Sequence, residues 1–237
     1  MKQVLKKWLL SDNGGTQVQR PDPSTMDQAL ARMKALGVMP RVVVDIGAAM
    51  GSWTMGALRF WPESDYYLVE PLDEQINKVP ARLRENPRIH LVQAVAGAEA
   101  GTVKLHVTPD LDGSGIYETG GSEEREVKVL PVDEIIAPDK RKDVLLKLDT
   151  HGFELPILEG AKETLTGCCG VIIEVYGFYV SPTAKLFHEV TQAMHDRGFR
   201  LFDIVDVLRR EKDNAFWQAD AVYLRQDHPV FSNNSYT

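Results

Sequence analysis

The stretch RVVVDIGAAMG, residues 41–51, joins the pattern of a buried strand to a glycine-containing turn. Its β-branched residues predict a strand that ends at Asp45, and Gly47 and Gly51 permit a tight turn into a helix over 52–61. A turn of this kind places backbone N–H groups beside a small polar ligand. The glycines follow the pattern Gly-x-Ala-x-Gly, so the Gly-x-Gly-x-x-Gly fingerprint of dinucleotide-binding proteins is missing. A tight connection without a ligand is the alternative interpretation.

The rest of the chain continues this alternation of strands and helices. Further strands are predicted over 66–70, 88–97, 143–149, 170–177, 199–210 and 219–226, and further helices over 25–36, 73–86, 155–165 and 183–198. Pro80 interrupts one helix, and the last strand is expected to be antiparallel. The alternation predicts an α/β fold: a mainly parallel sheet with helices on both faces.

One region departs from this alternation. Two segments of alternating polarity, 102–108 and 125–132, flank the glycine-rich stretch 109–122 and predict a small β-hairpin insertion with a long loop. The loop is a candidate lid over a bound acceptor, to which Ser114 and Tyr117 can offer hydroxyls. A long hairpin loop without a binding role is the alternative.

Composition excludes several classes of protein. The 237 residues carry a net charge of −7, which argues against a broad nucleic-acid surface. The two cysteines are adjacent and offer neither a disulfide framework nor spaced metal-binding pairs. No stretch resembles a signal peptide or a transmembrane segment, so we expect a cytoplasmic protein, and a homo-oligomer is left open. We predict an N-terminal helical extension and linker at 1–40 and a main domain at 41–227 that contains the hairpin insertion at 102–132. A C-terminal tail follows at 228–237.

An acidic residue at the end of the second strand is a second indication of a ligand site, in addition to the glycine turn. Glu70 closes the run YYLVE, and Pro71 prevents simple continuation of that strand. An acid here can accept hydrogen bonds from both hydroxyls of a ribose, while Asp45 can help to position an amino-acid group. These residues together suggest a site for an adenosyl ligand. A solvent-exposed acid before a turn is the alternative for Glu70.

Several motifs together resemble one family. The segments DIGAAMGSWT, VEP, VLPVDEI, LLKLDTHGFELPILEGAKETL and GVIIEVYG are similar to those of FkbM-type S-adenosylmethionine-dependent methyltransferases, over about residues 41–225. The resemblance implies a Rossmann-like class I methyltransferase fold with a seven-stranded sheet, and O-methylation of sugars or natural-product hydroxyls. Ala49 departs from the pattern, because the family often carries Asn there. The cofactor residues that the resemblance and the turn imply are Asp45, Gly47, Ala48, Gly51, Ser52, Trp53, Glu70, Pro71, Gln93, Ala94, Val95 and Asp149.

The segment 146–160, LKLDTHGFELPILEG, places Asp149, His151 and Glu154 at the end of a strand. An alcohol loses a proton as its oxygen attacks a methyl group, so a nearby base helps. His151 has a suitable unperturbed pKa, and Asp149 can do the same work. Glu154 can orient His151, bind an acceptor hydroxyl or cap the next helix. The alternatives are a surface imidazole for His151 and a helix-start charge for Glu154.

Two further residues complete the predicted acceptor pocket. Glu174 lies near the end of the next strand, and Phe178 follows Gly177 at the same strand end. Asp149, His151, Glu154 and Glu174 could instead hold a divalent metal, but no tight ligand pattern requires one, and none is expected.

The prediction is an S-adenosylmethionine-dependent O-methyltransferase whose acceptor is a sugar, a glycan or another hydroxyl-bearing small molecule. A noncatalytic protein that binds an adenosyl ligand or a partner is one alternative. A nicotinamide-dependent oxidoreductase is weaker, because the dinucleotide fingerprint is missing.

Overall fold

The computed structural model describes residues 22–111, 113–117 and 123–236. Ten strands are present in this part of the chain: β1 (Val42–Ile46), β2 (Asp65–Val69), β3 (Ile89–Val92), β4 (Val95–Ala96), β5 (Gly101–Val107), β6 (Glu123–Leu130), β7 (Val144–Leu148), β8 (Cys168–Tyr176), β9 (Phe199–Arg209) and β10 (Phe216–Arg225). The α-helices are α1 (Met26–Ala35), α2 (Ser52–Ala57), α3 (Asp73–Ile76), α4 (Ala81–Arg84), α5 (Val132–Ile135), α6 (Glu154–Glu159), α7 (Lys162–Thr166) and α8 (Phe187–Asp196).

Seven strands form the central sheet, in the order β3-β2-β1-β7-β8-β10-β9. Strands β1, β2, β3, β7 and β8 pair in parallel, whereas β10 is antiparallel to both β8 and β9. The predicted mainly parallel sheet with an antiparallel last strand is therefore confirmed. Strands β1 and β7 lie side by side in a register that places Asp45 opposite Lys147.

Both faces of this sheet are covered by helices. Leu30 and Met33 of α1 are buried in the same cluster as Val43 of β1. On the opposite face, Ile157 of α6 and Met194 of α8 belong to a second buried cluster. Helix α1 therefore contributes to the main core, although it lies within the predicted extension 1–40. The domain boundaries themselves stay a prediction, and residues 1–21 lie outside the described part of the chain.

A second, three-stranded sheet in the order β4-β6-β5 lies beside the central one. Strands β5 and β6 are antiparallel, as predicted for the hairpin, and their ends differ from the predicted ones by one or two residues. Leu105 and Val107 of β5 pack with Leu72, which follows β2. This small sheet is thereby held over the carboxyl end of β2.

Two predicted elements are divided in the structure. The strand predicted over 88–97 becomes β3 and β4, because a turn closed by the Ala94 N–H and the Val92 carbonyl oxygen (3.1 Å) moves the chain to the second sheet. The helix predicted over 155–165 becomes α6 and α7. They separate at Gly160, where a Cβ atom would lie 1.9 Å from the backbone oxygen of Gly97.

Two predicted helices are shorter than expected. The helix predicted over 52–61 ends at Ala57, and Trp61 turns into the core, where its indole donates to the Val38 carbonyl oxygen at 3.0 Å. The helix predicted over 183–198 begins only at Phe187, after a turn in which the Glu189 carboxylate accepts a hydrogen bond from the Leu186 N–H (2.9 Å). Among the described residues, no helix has the length and apolar character needed to cross a membrane.

Candidate active site

A cavity of about 330 Å³ opens at the carboxyl ends of β1, β2, β7 and β8. This is the edge at which open α/β sheets bind their ligands, and the volume is typical of a small-molecule site. Gly47, Glu70, Asp149 and Glu174 contribute to its wall from these four strand ends. The small sheet closes the opposite side with the apolar side chains of Leu105, Leu111 and Ile116.

The glycine turn after β1 forms one side of the cavity. Gly47 has a φ of +75°, and a Cβ atom there would lie 2.0 Å from the backbone oxygen of Asp149. Only glycine therefore fits between the two strand ends. Ala49, with a φ of +46°, also has left-handed backbone geometry, in which asparagine is more common than alanine. This geometry gives a physical reason for the asparagine that the family often carries here.

The N–H groups of the turn differ from the expectation. The N–H groups of Gly47 and Ala48 donate to the Val69 carbonyl oxygen at 3.0 and 3.2 Å, and that of Ala49 donates to Glu70 at 3.0 Å. These three donors fasten the turn to β2 and are not directed at a ligand. The expectation that the N–H groups of the turn face a small polar ligand is not met by these three, because the sequence could not show their pairing with Val69 and Glu70.

Glu70 is placed as predicted. It is only 7% exposed, lines the cavity, and accepts hydrogen bonds from the N–H groups of Ala49 and Leu72, both at 3.0 Å. A carboxylate at this strand end can accept hydrogen bonds from ribose hydroxyls. Pro71, Ala94 and Val95 also line this side.

Other predicted cofactor residues lie behind the cavity wall. Asp45 is 0% exposed, its Oδ2 accepts from the Thr54 hydroxyl at 2.7 Å, and burial raises its pKa. It supports the start of α2, so the predicted direct contact with an amino-acid group is corrected. Trp53 packs in the core on the α1 face, and Gln93 donates to Asp73 at 2.6 Å on the surface. Ala48, Gly51 and Ser52 also do not line the cavity.

The residues that remain on this wall fit an adenosyl group. Glu70 presents a carboxylate for a ribose, and Leu72, Val95 and Ile116 supply apolar surface on which a purine can pack. A carboxylate beside apolar surface suits the ribose and the adenine of S-adenosylmethionine.

Asp149 forms the floor between the two sides of the cavity. Its carboxylate Oδ2 accepts from the Lys147 ammonium at 2.6 Å, and its N–H donates to the Ile46 carbonyl oxygen at 3.1 Å. Burial by itself would raise the pKa of Asp149, but the Lys147 charge brings it below its usual value. Asp149 is therefore held as an anion at the place that the sequence predicted.

His151 stands next to Asp149 and is oriented by two partners. Its Nδ1 lies 3.0 Å from the Tyr176 hydroxyl and 3.4 Å from the Glu174 carboxylate, and Tyr176 itself donates to Glu174. Burial raises the pKa of Tyr176, so the phenol keeps its proton. In the tautomer with the hydrogen on Nδ1, Nε2 is the basic nitrogen of the ring.

Glu154 has one of its three predicted roles. It is 3% exposed, and its Oε1 accepts from the Gly152 N–H at 2.9 Å and from the Thr150 hydroxyl at 3.2 Å. It does not line the cavity. Glu154 therefore fixes the turn that carries His151, and its assignment to acceptor binding is corrected. Burial raises the pKa of this carboxyl.

The predicted lid residues take different positions. Ser114 lines the cavity, and its hydroxyl accepts from the Thr108 N–H at 3.1 Å, which folds the loop back onto β5. The Tyr117 hydroxyl contacts Thr183 between β8 and α8, outside the cavity wall. The part of the predicted lid at 112 and 118–122 lies outside the described residues.

Phe178 also lies outside the wall. Its ring stacks on Trp217 with centroids 5.6 Å apart, and the Arg210 guanidinium carbon lies 3.9 Å from the Phe178 centroid. Phe178 has these two neighbours and does not line the cavity, so the predicted acceptor contact is not formed.

The side of the cavity that carries Asp149 and His151 could instead bind a divalent cation. One ligand atom from each of Asp149, His151 and Glu174 lies within 4.8 Å of the others. Carboxylate and imidazole ligands suit several divalent metals. Lys147 already supplies one positive charge to Asp149.

Sequence reasoning missed Lys147 and Tyr176. A lysine within an apolar strand, two residues before an acid on the same face, was the available signal for Lys147. Tyr176 likewise alternates with Glu174 on β8. The apolar residues of β5 and its loop gave no signal, because only the tertiary fold brings them over the cavity.

The comparisons agree with this geometry. The family model described as "Methyltransferase FkbM domain" matches residues 45–201. The structure of methyltransferase FkbM from Methylobacillus flagellatus KT is 18% identical with a TM-score of 0.52, and the match covers 78% of this chain and 43% of that one. The chain thus spans less than half the length of that protein. A search of curated proteins finds no match.

Two further solved structures are similar over most of the chain. Magnesium protoporphyrin IX methyltransferase from Synechocystis PCC 6803, with bound S-adenosylmethionine, is 11% identical with a TM-score of 0.47, over 94% of this chain and 92% of that one. The 1,6-didemethyltoxoflavin-N1-methyltransferase of Burkholderia thailandensis, with bound S-adenosylhomocysteine, is 13% identical with a TM-score of 0.46, over 84% and 77%.

The family match extends from Asp45 to β9 and includes both the glycine turn and the segment that carries Asp149 and His151. A nicotinamide-dependent oxidoreductase is therefore not retained as an interpretation. The central sheet is that of the Rossmann-like class I methyltransferases. The chain belongs to the FkbM family of S-adenosylmethionine-dependent methyltransferases.

Proposed function

We propose that the chain methylates a hydroxyl oxygen of a sugar or another small hydroxyl-bearing metabolite. One observation carries the proposal: a carboxylate and an imidazole, Asp149 and His151, stand together in the cavity that Glu70 also lines. An alcohol must lose its proton during methylation, and a base at this position serves that need. The two walls would then bind acceptor and cofactor side by side.

His151 is the proposed base and Asp149 the residue that orients the acceptor hydroxyl. When bound, S-adenosylmethionine supplies a sulfonium methyl group that passes to the acceptor oxygen as its bond to sulfur breaks. The hydroxyl proton moves to Nε2 of His151. The Glu174 carboxylate, 3.4 Å from Nδ1, stabilises the imidazolium that forms. Asp149 accepts a hydrogen bond from a neighbouring hydroxyl of the acceptor and so aligns the reacting oxygen.

The experiment is transfer of an isotopically labelled methyl group from S-adenosylmethionine into a panel of sugars and a metabolite extract, with products identified by mass spectrometry. Label on oxygen supports the proposal. The matched comparison is His151→Asn against Asp149→Asn, since asparagine tolerates the left-handed backbone at position 151 (φ +53°). Loss of one of these groups should slow single-turnover transfer by about 10²–10⁴-fold. Label on nitrogen or carbon, or cofactor binding without any transfer, would reject it.

A further inference from the structure

Lys147 is a charged residue inside a buried apolar strand. It is 4% exposed, and the other residues of β7 are Val144, Leu145, Leu146 and Leu148. Removing an ammonium from water costs several kcal/mol unless it is paired. A leucine would pack well at this position of the strand, so the presence of a lysine needs an explanation.

Carboxylates on three strands face Lys147. Asp149 lies two residues after Lys147, just beyond the end of β7 and on the same face, and accepts from the ammonium at 2.6 Å. Asp45 is opposite Lys147 on β1, and Asp220 is nearby on β10. Burial alone would lower the pKa of Lys147, but the Asp149 and Asp45 charges raise it above its usual value. The side chain therefore remains an ammonium.

These three partners differ in their access to the cavity. Asp45 is completely buried and bound to Thr54, and Asp220 does not line the cavity. Asp149 alone among them forms part of the cavity wall. Of these three carboxylates, Asp149 therefore connects Lys147 to the cavity.

The backbone of Asp149 is already fixed. Its N–H is bonded to Ile46, and its carbonyl oxygen lies against Gly47. The rotation of the carboxylate about its χ angles is the freedom that remains, and the terminal torsion of aspartate is broad. The contact between Lys147 and Oδ2 restricts this rotation, and the Glu174 side chain also lies against the Asp149 carboxylate.

We infer that Lys147 is a positioning residue for methyl transfer: it anchors Oδ2 of Asp149 beneath the cavity so that Oδ1 faces the acceptor hydroxyl. This inference rests on the proposed function, because it needs Asp149 to contact the acceptor. If Lys147 had only a structural role, its replacement would lower the stability of the protein. Its effect on the rate of methyl transfer would then not depend on whether Asp149 is present.

The test is a double-mutant cycle on the rate. Lys147→Met keeps the length of the side chain and removes the charge, and Asp149→Asn removes the anion. Single-turnover methyl transfer at saturating S-adenosylmethionine is measured for both variants and for the double variant. Lys147→Met should slow transfer by about 10–100-fold and change the cofactor Kd by less than about threefold. In the Asp149→Asn background it should slow transfer by less than about twofold.

Two variants provide controls. Asp220→Asn removes another carboxylate that faces Lys147 but does not line the cavity, and it should keep a wild-type rate. Lys147→Gln replaces Lys147→Met in the cycle if the latter does not fold, as judged by circular dichroism. Failure of both variants to fold would assign Lys147 to stability and overturn the inference.

The outcomes separate this inference from the proposed function. A near-normal rate for folded Lys147→Met, or equal losses with and without Asp149, would reject the positioning role alone. A near-normal rate for Asp149→Asn would instead reject the role of Asp149 in the proposed function.

Discussion

Replacement of Gly47 by alanine tests whether the cofactor turn and the acceptor wall depend on one close contact. The new Cβ atom would lie 2.0 Å from the backbone oxygen of Asp149, and real Cβ atoms almost never approach closer than 3.0 Å. One of the two strand ends must therefore move by about 1 Å. The partner is backbone, so a side-chain rotation cannot relieve the clash.

Gly37 offers a matched control. Its φ of +84° is close to the +75° of Gly47, but nothing lies within 4 Å of a Cβ atom placed there. Gly37→Ala therefore measures the cost of left-handed backbone alone, about 1–2 kcal/mol. Gly47→Ala carries the same cost together with the displacement, and we expect a total loss of about 3 kcal/mol or more in the free energy of unfolding.

The displacement should also lower the rate of methyl transfer. A misplacement of about 1 Å can reduce a rate by on the order of 100-fold. Urea denaturation gives the stabilities of both variants, and single-turnover transfer at saturating cofactor gives the rates. We expect Gly37→Ala to react like the wild type. Equal stabilities for the two variants together with a normal rate for Gly47→Ala would refute the reasoning.

Four further predictions concern the cofactor, a buried acid, the lid and a metal. Glu70→Ala should weaken S-adenosylmethionine binding by about 1–3 kcal/mol in calorimetry, and unchanged affinity in a folded variant would reject the ribose assignment. Burial raises the pKa of Asp220 to about 7 from 3.8, so wild-type stability should fall as pH rises through this interval. The free energy of unfolding of Asp220→Asn, measured in urea titrations, should therefore rise relative to that of the wild type by on the order of 1–3 kcal/mol between pH 5 and pH 8. A difference between the two proteins that stays constant with pH would contradict this. We expect the amides of residues 109–117 to become more protected when acceptor and cofactor are both bound, and Tyr117→Phe, which loses the contact with Thr183, to reduce that protection in hydrogen exchange. Activity should survive chelation; loss on chelation, with recovery on adding one divalent metal, would reassign the acceptor side to metal binding.

Local patterns were sufficient to predict how the main site is assembled. Each buried strand was visible as an apolar run, and a parallel sheet brings the carboxyl ends of its strands to one edge. For this reason Gly47, Glu70 and Asp149 could be placed together although they are far apart in the chain. The structure confirms that all three line one cavity.

Pairing between strands was not predictable from the same patterns. The sequence showed that Asp45 and Lys147 lie in separate strands, but only the register places them opposite each other. Glu154 likewise had three open roles. Its hydrogen bonds to Thr150 and Gly152 depend on the left-handed backbone at His151, which no local rule required.

The contacts at the strand ends determine how the two halves of the site must be tested. Gly47 touches the Asp149 backbone, and Asp45 faces the lysine that holds the Asp149 side chain. A change in the cofactor turn can therefore reach the acceptor wall, and a change at Lys147 can reach the turn. Cofactor affinity or steady-state activity alone would mix these effects. Only the single-turnover rate at saturating cofactor, measured beside the cofactor Kd, assigns a loss to chemistry, because saturation removes the contribution of weakened binding.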